Sequence, residues 1–174
     1  MKEASLRKTH PTKWLTVTGM LMAVNIIMSS SIMSIPVPGG HLYLNDTIID
    51  TAAILLDPLG AFVVGGIGAF LGDALFYPAP MFVSLVTHGL QAIVVSLCTG
   101  KQEKKFSGAL TGVVLGALIN VVGYSIGRAL VYSTPEYAML KLPFQIFQAV
   151  SGAAIALLLC YKTGLLTFWK KFTR

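Results

Sequence analysis

Lys101-Gln-Glu-Lys-Lys105 interrupts a chain that is apolar for long distances on either side. It is the central one of three basic clusters. The others are Lys2, Arg7, Lys8 and Lys13 near the start, and Lys162, Lys170, Lys171 and Arg174 near the end. Together they hold eleven of the thirteen Lys and Arg residues. Basic residues beside membrane spans stay on the cytoplasmic side. All three clusters share that side only if an even number of spans separates each from the next. The reading that satisfies this parity is an all-α integral membrane protein: a bundle of six transmembrane helices, both termini cytoplasmic, forming a single domain over residues 1–174.

Composition agrees. Mean hydropathy is +0.74; 55% of residues are hydrophobic and 11% are charged, where a soluble domain carries about a quarter charged residues. A span takes roughly 20 apolar residues, so 174 residues accommodate about six short-looped helices. The net charge of +6 sits beside the spans, where it sets topology and faces anionic lipid; nucleic acid is not an expected partner. The apolar stretch from Trp14 to Ile35 is too long for a signal-peptide core and closes without a small-x-small site, so it reads as a retained first span. Cys98 and Cys160 fall near cytoplasmic helix ends, where a disulfide is not expected, and no metal-type spacing occurs.

The expected spans are residues 14–34, 45–57, 59–77, 80–99, 107–132 and 142–161. A Pro- and Gly-rich external loop (Pro36, Pro38, Gly39, Gly40, His41) follows the first. Asn45 and Asp46 open the second as N-cap residues, and Asp57-Pro58 ends it in a tight turn. The fifth reads Gly108, Gly112, Gly116, Asn120, Tyr124 and Arg128 at four-residue spacing, a single helical stripe. Its glycine half admits a close neighbour helix. Its polar half offers an amide, a phenol and a cation, with Arg128 near enough to the helix end to snorkel outward. A packing helix whose polar end touches headgroups would show the same stripe. His88 and Gln91 in the fourth span, and Gln145 and Gln148 in the sixth, repeat a three-residue spacing at matching depth. Asp46, Asp50, Asp73 and Tyr77 lie near outer helix ends. Polar and ionisable groups at membrane depth are costly and default to functional candidates. The expectation is an outward-open polar pocket for a small hydrogen-bonding solute. Small-xxx-small pairs at Gly19/Ala23, Gly65/Ala69 and Gly68/Gly72 mark helix contacts.

Enzyme motifs are weak. Gly100-Lys101 lacks the upstream Gly and following Ser or Thr of a phosphate loop. Gly123-Tyr-Ser-Ile-Gly127 matches the nucleophile-elbow string inside an apolar helix, without the strand-turn-helix that chemistry needs. An intramembrane serine hydrolase pairing Ser125 with His88 stays as an alternative. So does a stand-alone secondary carrier, although no inverted repeat is evident. No catalytic residues, metal ligands or cofactors are assigned.

The segment His41-Leu-Tyr-Leu-Asn-Asp46, then Asp57-Pro-Leu-Gly60, Gly65-Gly-Ile-Gly-Ala-Phe-Leu-Gly-Asp73, Tyr77-Pro-Ala-Pro80 and His88-Gly-Leu-Gln91, resembles the substrate-binding S component of energy-coupling factor (ECF) vitamin transporters. The hydroxymethylpyrimidine/pyridoxine-type and riboflavin-type subunits are the nearest in kind. The resemblance implies a high-affinity subunit in a bacterial plasma membrane that captures a vitamin or precursor from outside. A separate transmembrane coupling subunit and two cytoplasmic ATPases would deliver it. It implies binding by His88, Gln91, Asn120, Tyr124, Arg128, Gln145, Gln148, Tyr43 and Asn45, and docking of the coupling subunit on Gly19 and Ala23. Where the family carries Lys and Glu, this chain has His88 and Gln91, which implies an uncharged or weakly charged ligand. Hydroxymethylpyrimidine or pyridoxine fits best; riboflavin is the rival, and a carboxylate such as pantothenate would take Arg128 as its anchor.

Overall fold

The structure is a computed structural model that describes residues 6–30, 33–37, 40–101 and 104–173. Lys2, Pro38, Gly39 and Arg174 of the sequence reading lie outside those residues. The order is α1 (Leu6–Thr9), α2 (Pro11–Met28), β1 (Ile35–Val37), β2 (Gly40–Leu42), α3 (Asn45–Leu55), α4 (Pro58–Phe62), α5 (Gly68–Phe76), α6 (Met81–Lys101), α7 (Phe106–Gly127), α8 (Pro135–Lys162) and α9 (Leu165–Phe172). A π-helical stretch, Val63–Ile67, fuses α4 to α5, and another, Arg128–Tyr132, prolongs α7.

Among the described residues, four helices are long and apolar enough to cross a membrane: Pro58–Phe76, Met81–Gly100, Phe106–Tyr132 and Pro135–Lys162. Three match the expected spans within a residue or two. The last starts seven residues before the expected 142, because Thr134 caps it by accepting from the Tyr137 N–H at 3.3 Å and Pro135 supplies a preset first turn. Its first turns, with Lys141, belong to the helix rather than to a loop.

The first two elements depart further from expectation. α2 ends at Met28 rather than near residue 34, and the chain then turns at Ser29. The Pro/Gly loop is a β-hairpin, with Ile35 facing Leu42, Pro36 facing His41 and Val37 facing Gly40. α3 has only 11 residues, about 16 Å at 1.5 Å per residue, half the thickness of a bilayer core. Leu44, not Asn45 or Asp46, is its N-cap, and no side chain caps it. Ten of its 11 residues are buried. A helix enclosed by other helices has no lipid boundary to match in length.

The bundle buries many polar side chains among its apolar ones and is apolar outside. Its fully buried side chains include Asn25, Asp46, His88, Gln91 and Asn120, while Leu15, Leu75, Phe82, Leu118, Leu130 and Phe147 face outward. Water would invert that distribution; lipid tolerates it. Small residues let the helices approach. A Cβ on Gly68 would lie 2.8 Å from Asn25 Nδ2, and one on Gly65 would lie 2.8 Å from the Ala92 Cβ. Asn25 in turn donates to the Val64 carbonyl at 2.7 Å, inside the π stretch whose backbone ladder is irregular.

The three basic clusters meet at one end of the bundle. Lys13 Nζ donates to the Phe172 carbonyl at 3.2 Å and sits 5.0 Å over its ring. Lys104 Nζ donates to the Ile54 carbonyl at 3.1 Å and to the Leu55 carbonyl, closing the C-terminus of α3. The same ammonium lies 5.8 Å from the Trp169 ring. Trp169 and Leu166 of α9 are buried against Ala52, Leu55, Leu56 and Val64, whereas Phe168 on the other side of α9 stays exposed. Arg7 pairs with Asp57 at 3.6 Å, and Trp14 Nε1 donates to the same carboxylate at 2.6 Å.

Candidate functional site

Four helices place their polar side chains into one connected cluster: Asp46 and Asp50 from α3, His88 and Gln91 from α6, Asn120 and Tyr124 from α7, and Gln145 and Gln148 from α8. The stripe on α7 folds as its spacing predicts. Gly108, Gly112, Gly116, Asn120 and Tyr124 are all buried along one face. The glycines pack α7 onto α6, where a Cβ on Gly116 would meet the Gln91 Cγ at 3.1 Å. That approach brings Asn120 within reach of α6 and α3.

Asp46 is the hub. Its Oδ1 accepts from Asn120 Nδ2 at 2.7 Å and from Gln91 Nε2 at 3.2 Å; its Oδ2 accepts from Gln148 Nε2 at 2.7 Å. His88 Nδ1 lies 3.7 Å from Oδ1. The second Gln91 Nε2 hydrogen goes to Asp50 Oδ1 at 3.0 Å. Asn120 Nδ2 also donates to Gln91 Oε1 at 3.0 Å. His88 Nδ1 lies 2.9 Å from that same oxygen, so the ring carries its proton on Nδ1 in this arrangement. A buried carboxylate needs such donors, because an unsatisfied one costs several kcal/mol, roughly.

The cluster continues toward the hairpin. Gln145 Nε2 donates to Asn120 Oδ1, and Gln145 Oε1 accepts from Arg128 Nη2 at 2.7 Å. Arg128 is buried and stands 5.2 Å from the Tyr124 ring centroid. It does not snorkel: its contact lies 17 residues on, in α8, which a reading of α7 alone leaves out. Its Nη1 is buried without a hydrogen-bond partner. Tyr124 OH and Ser84 Oγ lie 2.5 Å apart, and Ser84 also bonds Asp73. The His88 and Tyr124 rings meet edge to face at 5.3 Å.

Two contacts tie the hairpin to α8. The Tyr43 N–H donates to Gln148 Oε1 at 3.0 Å, and Lys141 Nζ donates to the His41 carbonyl at 3.1 Å. Burial, reinforced by the nearby Asp73 carboxyl, pushes the Tyr43 hydroxyl above its ordinary pKa.

Of the nine side chains expected to bind, the structure joins His88, Gln91, Asn120, Arg128, Gln145 and Gln148 in one hydrogen-bond network. Tyr124 packs against His88 and Arg128, and Tyr43 enters through its backbone N–H. Asn45 stands apart: its Nδ2 reaches Ser29 Oγ at 3.5 Å, and its Oδ1 has no partner. The neighbouring Asp46, which the sequence reading took as a helix opener near the pocket and not as a binding residue, holds the centre. Asp46 and Asp50 lie at i and i+4 as the two charged residues of α3, and that spacing was the available signal. Gly152 of α8 is a second omission. A Cβ there would sit 2.6 Å from the Asp46 Cβ, so this glycine lets α8 reach the hub.

Ser125 of the nucleophile-elbow string donates to the Val121 carbonyl at 2.7 Å, one turn back on its own helix. It lines a shallow apolar cleft of about 400 Å³ between α7 and α8, with Ile126, Ala129, Ala138 and Met139. His88 is engaged with Gln91. Among the described residues, nothing lies within 4 Å of where a Cβ on Gly19 of α2 would be, and Ala23, one turn on, is exposed.

Comparison with known proteins places this architecture. A family profile described as "ECF-type riboflavin transporter, S component" matches residues 10–164. An uncharacterised protein of Pyrococcus woesei is 33% identical over 132 residues, covering 75% of this chain and 88% of that protein. A UPF0397 protein of Lactococcus lactis subsp. lactis is 28% identical over 140 residues, 74% of this chain and 76% of its own length. A UPF0397 protein of Streptococcus agalactiae is 25% identical over 137 residues, covering 73% and 75%.

Proposed function

This chain belongs to the family of ECF-type riboflavin transporter S components, and from that premise we propose that it captures a small water-soluble vitamin or precursor in the polar cluster around Asp46. The family is one of membrane-embedded substrate-binding subunits for vitamin uptake, not of enzymes. The observation that carries the reading is the cluster itself. Side chains from three helices converge on one buried carboxylate carried by a fourth, inside a shell of outward-facing apolar residues. A packing core has no use for so many amides, and each would destabilise the bundle if left unpaired.

Hydroxymethylpyrimidine and pyridoxine are the leading ligands. Both offer ring nitrogens and hydroxyls that can exchange for the amide contacts of Gln91, Asn120, Gln145 and Gln148, with Tyr124 or Tyr43 flanking the ring. Riboflavin remains the rival and would need more aromatic surface. The chain is a single domain with six passes, α2 and α3 included, and both ends face the cytoplasm of a bacterial cell. The gathering of the basic clusters at one end supports this topology. The hairpin then faces outward over the cluster. A separate coupling subunit and two ATPases would supply the energy, because a binding pocket can only equilibrate its ligand. The surface at Gly19 and Ala23 supports docking of that subunit on α2, since no atom of the described residues lies within 4 Å of where a Gly19 Cβ would be.

The test is mass spectrometry of small molecules retained by the detergent-purified chain expressed alone. A stoichiometric vitamin or precursor supports the reading and identifies the ligand. An empty protein that also ignores a vitamin panel overturns it in favour of a carrier that moves its solute unaided.

A further inference from the structure

Arg128 Nη2, Gln145, Asn120 and Asp46 form a relay with one possible orientation. The guanidinium can only donate, so Gln145 must present its oxygen to Arg128 and its NH₂ to Asn120 Oδ1. Asn120 must then present its own NH₂ to Asp46 Oδ1 at 2.7 Å. A cation and an anion are thus linked through two neutral amides and not by direct contact. Its other amino group, Nη1, is buried with no hydrogen-bond partner. Lys141, one helical turn before Gln145 on α8, is also buried, and the acceptor found for it is the neutral His41 carbonyl. Among the described residues, a carboxylate within 4 Å is found for Arg7 (Asp57) and for the His88 ring (Asp46), and none for Arg128 or Lys141. Arg128 also begins the π-helical stretch that prolongs α7, an irregularity often found at functional sites.

We propose that Arg128 is the specificity-determining anchor of the site: Nη1 receives an oxygen of the ligand, and a carboxylate oxygen is held more tightly there than a hydroxyl. This rests on the binding-subunit reading and refines its ligand class. His88 and Gln91 alone implied an uncharged or weakly charged ligand. They sit at the carboxylate end of the relay, whereas Arg128 and Lys141 make the other end cationic. A buried guanidinium forms its strongest hydrogen bonds to carboxylate, and a neutral hydroxyl leaves its charge uncompensated. The hydroxymethyl group of the neutral candidates can occupy the position; the matching acid fits it better.

The experiment is calorimetric titration of the full-length, detergent-purified chain with three matched pairs: pyridoxine and 4-pyridoxate, 3-pyridinemethanol and nicotinate, panthenol and pantothenate. At neutral pH the acids are ionised. For at least one pair, the carboxylate should bind on the order of 10-fold tighter than its alcohol, as expected of a charge-assisted contact. Arg128→Gln should abolish that preference while the alcohol's affinity changes less. Arg128→Lys, which keeps the charge but loses the fork, should retain part of it. If alcohols bind as well as acids, or acids keep their advantage in a folded Arg128→Gln protein, the anchor assignment is overturned and the binding-subunit reading stands. If none of the six compounds binds and no vitamin co-purifies, both fall. A lipid headgroup phosphate is the other source of an anionic oxygen. In that case added phosphatidylglycerol would raise the melting temperature in an Arg128-dependent way and the matched pairs would show no preference, which also overturns the proposal.

Discussion

Asn120 on α7 donates a 2.7 Å hydrogen bond to Asp46 on α3, across 74 residues of sequence. Asn120 uses both Nδ2 hydrogens, one on Asp46 and one on Gln91, and accepts from Gln145. One amide therefore connects α7 to α3, α6 and α8.

Asp46→Asn tests the hub. Asparagine keeps the shape but offers one acceptor where three amide groups donate, so its own NH₂ must face another donor. Each stranded buried donor costs about 1–3 kcal/mol. The expected outcome is a lower melting temperature together with at least a 10-fold loss of ligand affinity. An Asp46→Asn protein that melts and binds as the parent does would remove Asp46 from the centre of the site.

Gly152→Ala asks whether α8 must approach α3 so closely. The added methyl would meet the Asp46 Cβ at 2.6 Å, and overpacking of this kind costs about 1–3 kcal/mol. Thermal unfolding should show the loss. Ligand affinity should fall as well, because Gln148 rides on the displaced helix.

Gly19→Leu should do the opposite. With nothing within 4 Å of that position, a larger side chain leaves folding and ligand retention unchanged. It should instead block co-purification with the coupling subunit and abolish uptake by cells. Loss of ligand binding with the complex intact would mean that α2 serves the pocket and not a partner.

Lys104→Met removes the ammonium that closes α3. The Ile54 and Leu55 carbonyls would lose a charged donor at a helix C-terminus, an interaction worth about 1 kcal/mol. The variant should melt earlier while its affinity for ligand stays near that of the parent, because the cluster lies toward the other end of α3.

Ser125→Ala should leave both ligand binding and stability near parental values, since the hydroxyl serves its own helix at Val121. Loss of a measurable hydrolytic activity on this change would revive the serine-hydrolase alternative.

Much of this was readable from sequence where a signal is repeated. The Lys101–Lys105 run flanked by apolar stretches and the four-residue stripe on α7 each contain several residues that agree, and the stripe lies buried along one face of its helix. Single residues fared worse. Asn45 and Asp46 looked alike as helix openers, yet one turns toward Ser29 and the other becomes the hub; the difference lies in which neighbouring helix each faces. Arg128 looked free to snorkel because its partner is on another helix. The early end of α2 and the shortness of α3 follow from packing partners that local hydropathy does not encode.

The enclosure of α3 has one more consequence. The helix that carries Asp46 and Asp50 is 11 residues long and wrapped by protein, so it has no hydrophobic length to match to the surrounding lipid. Thinner or thicker bilayers press on the four long helices, which can tilt in response. The carboxylates are shielded from that adjustment, and ligand affinity should therefore hold steady as acyl chains are shortened or lengthened.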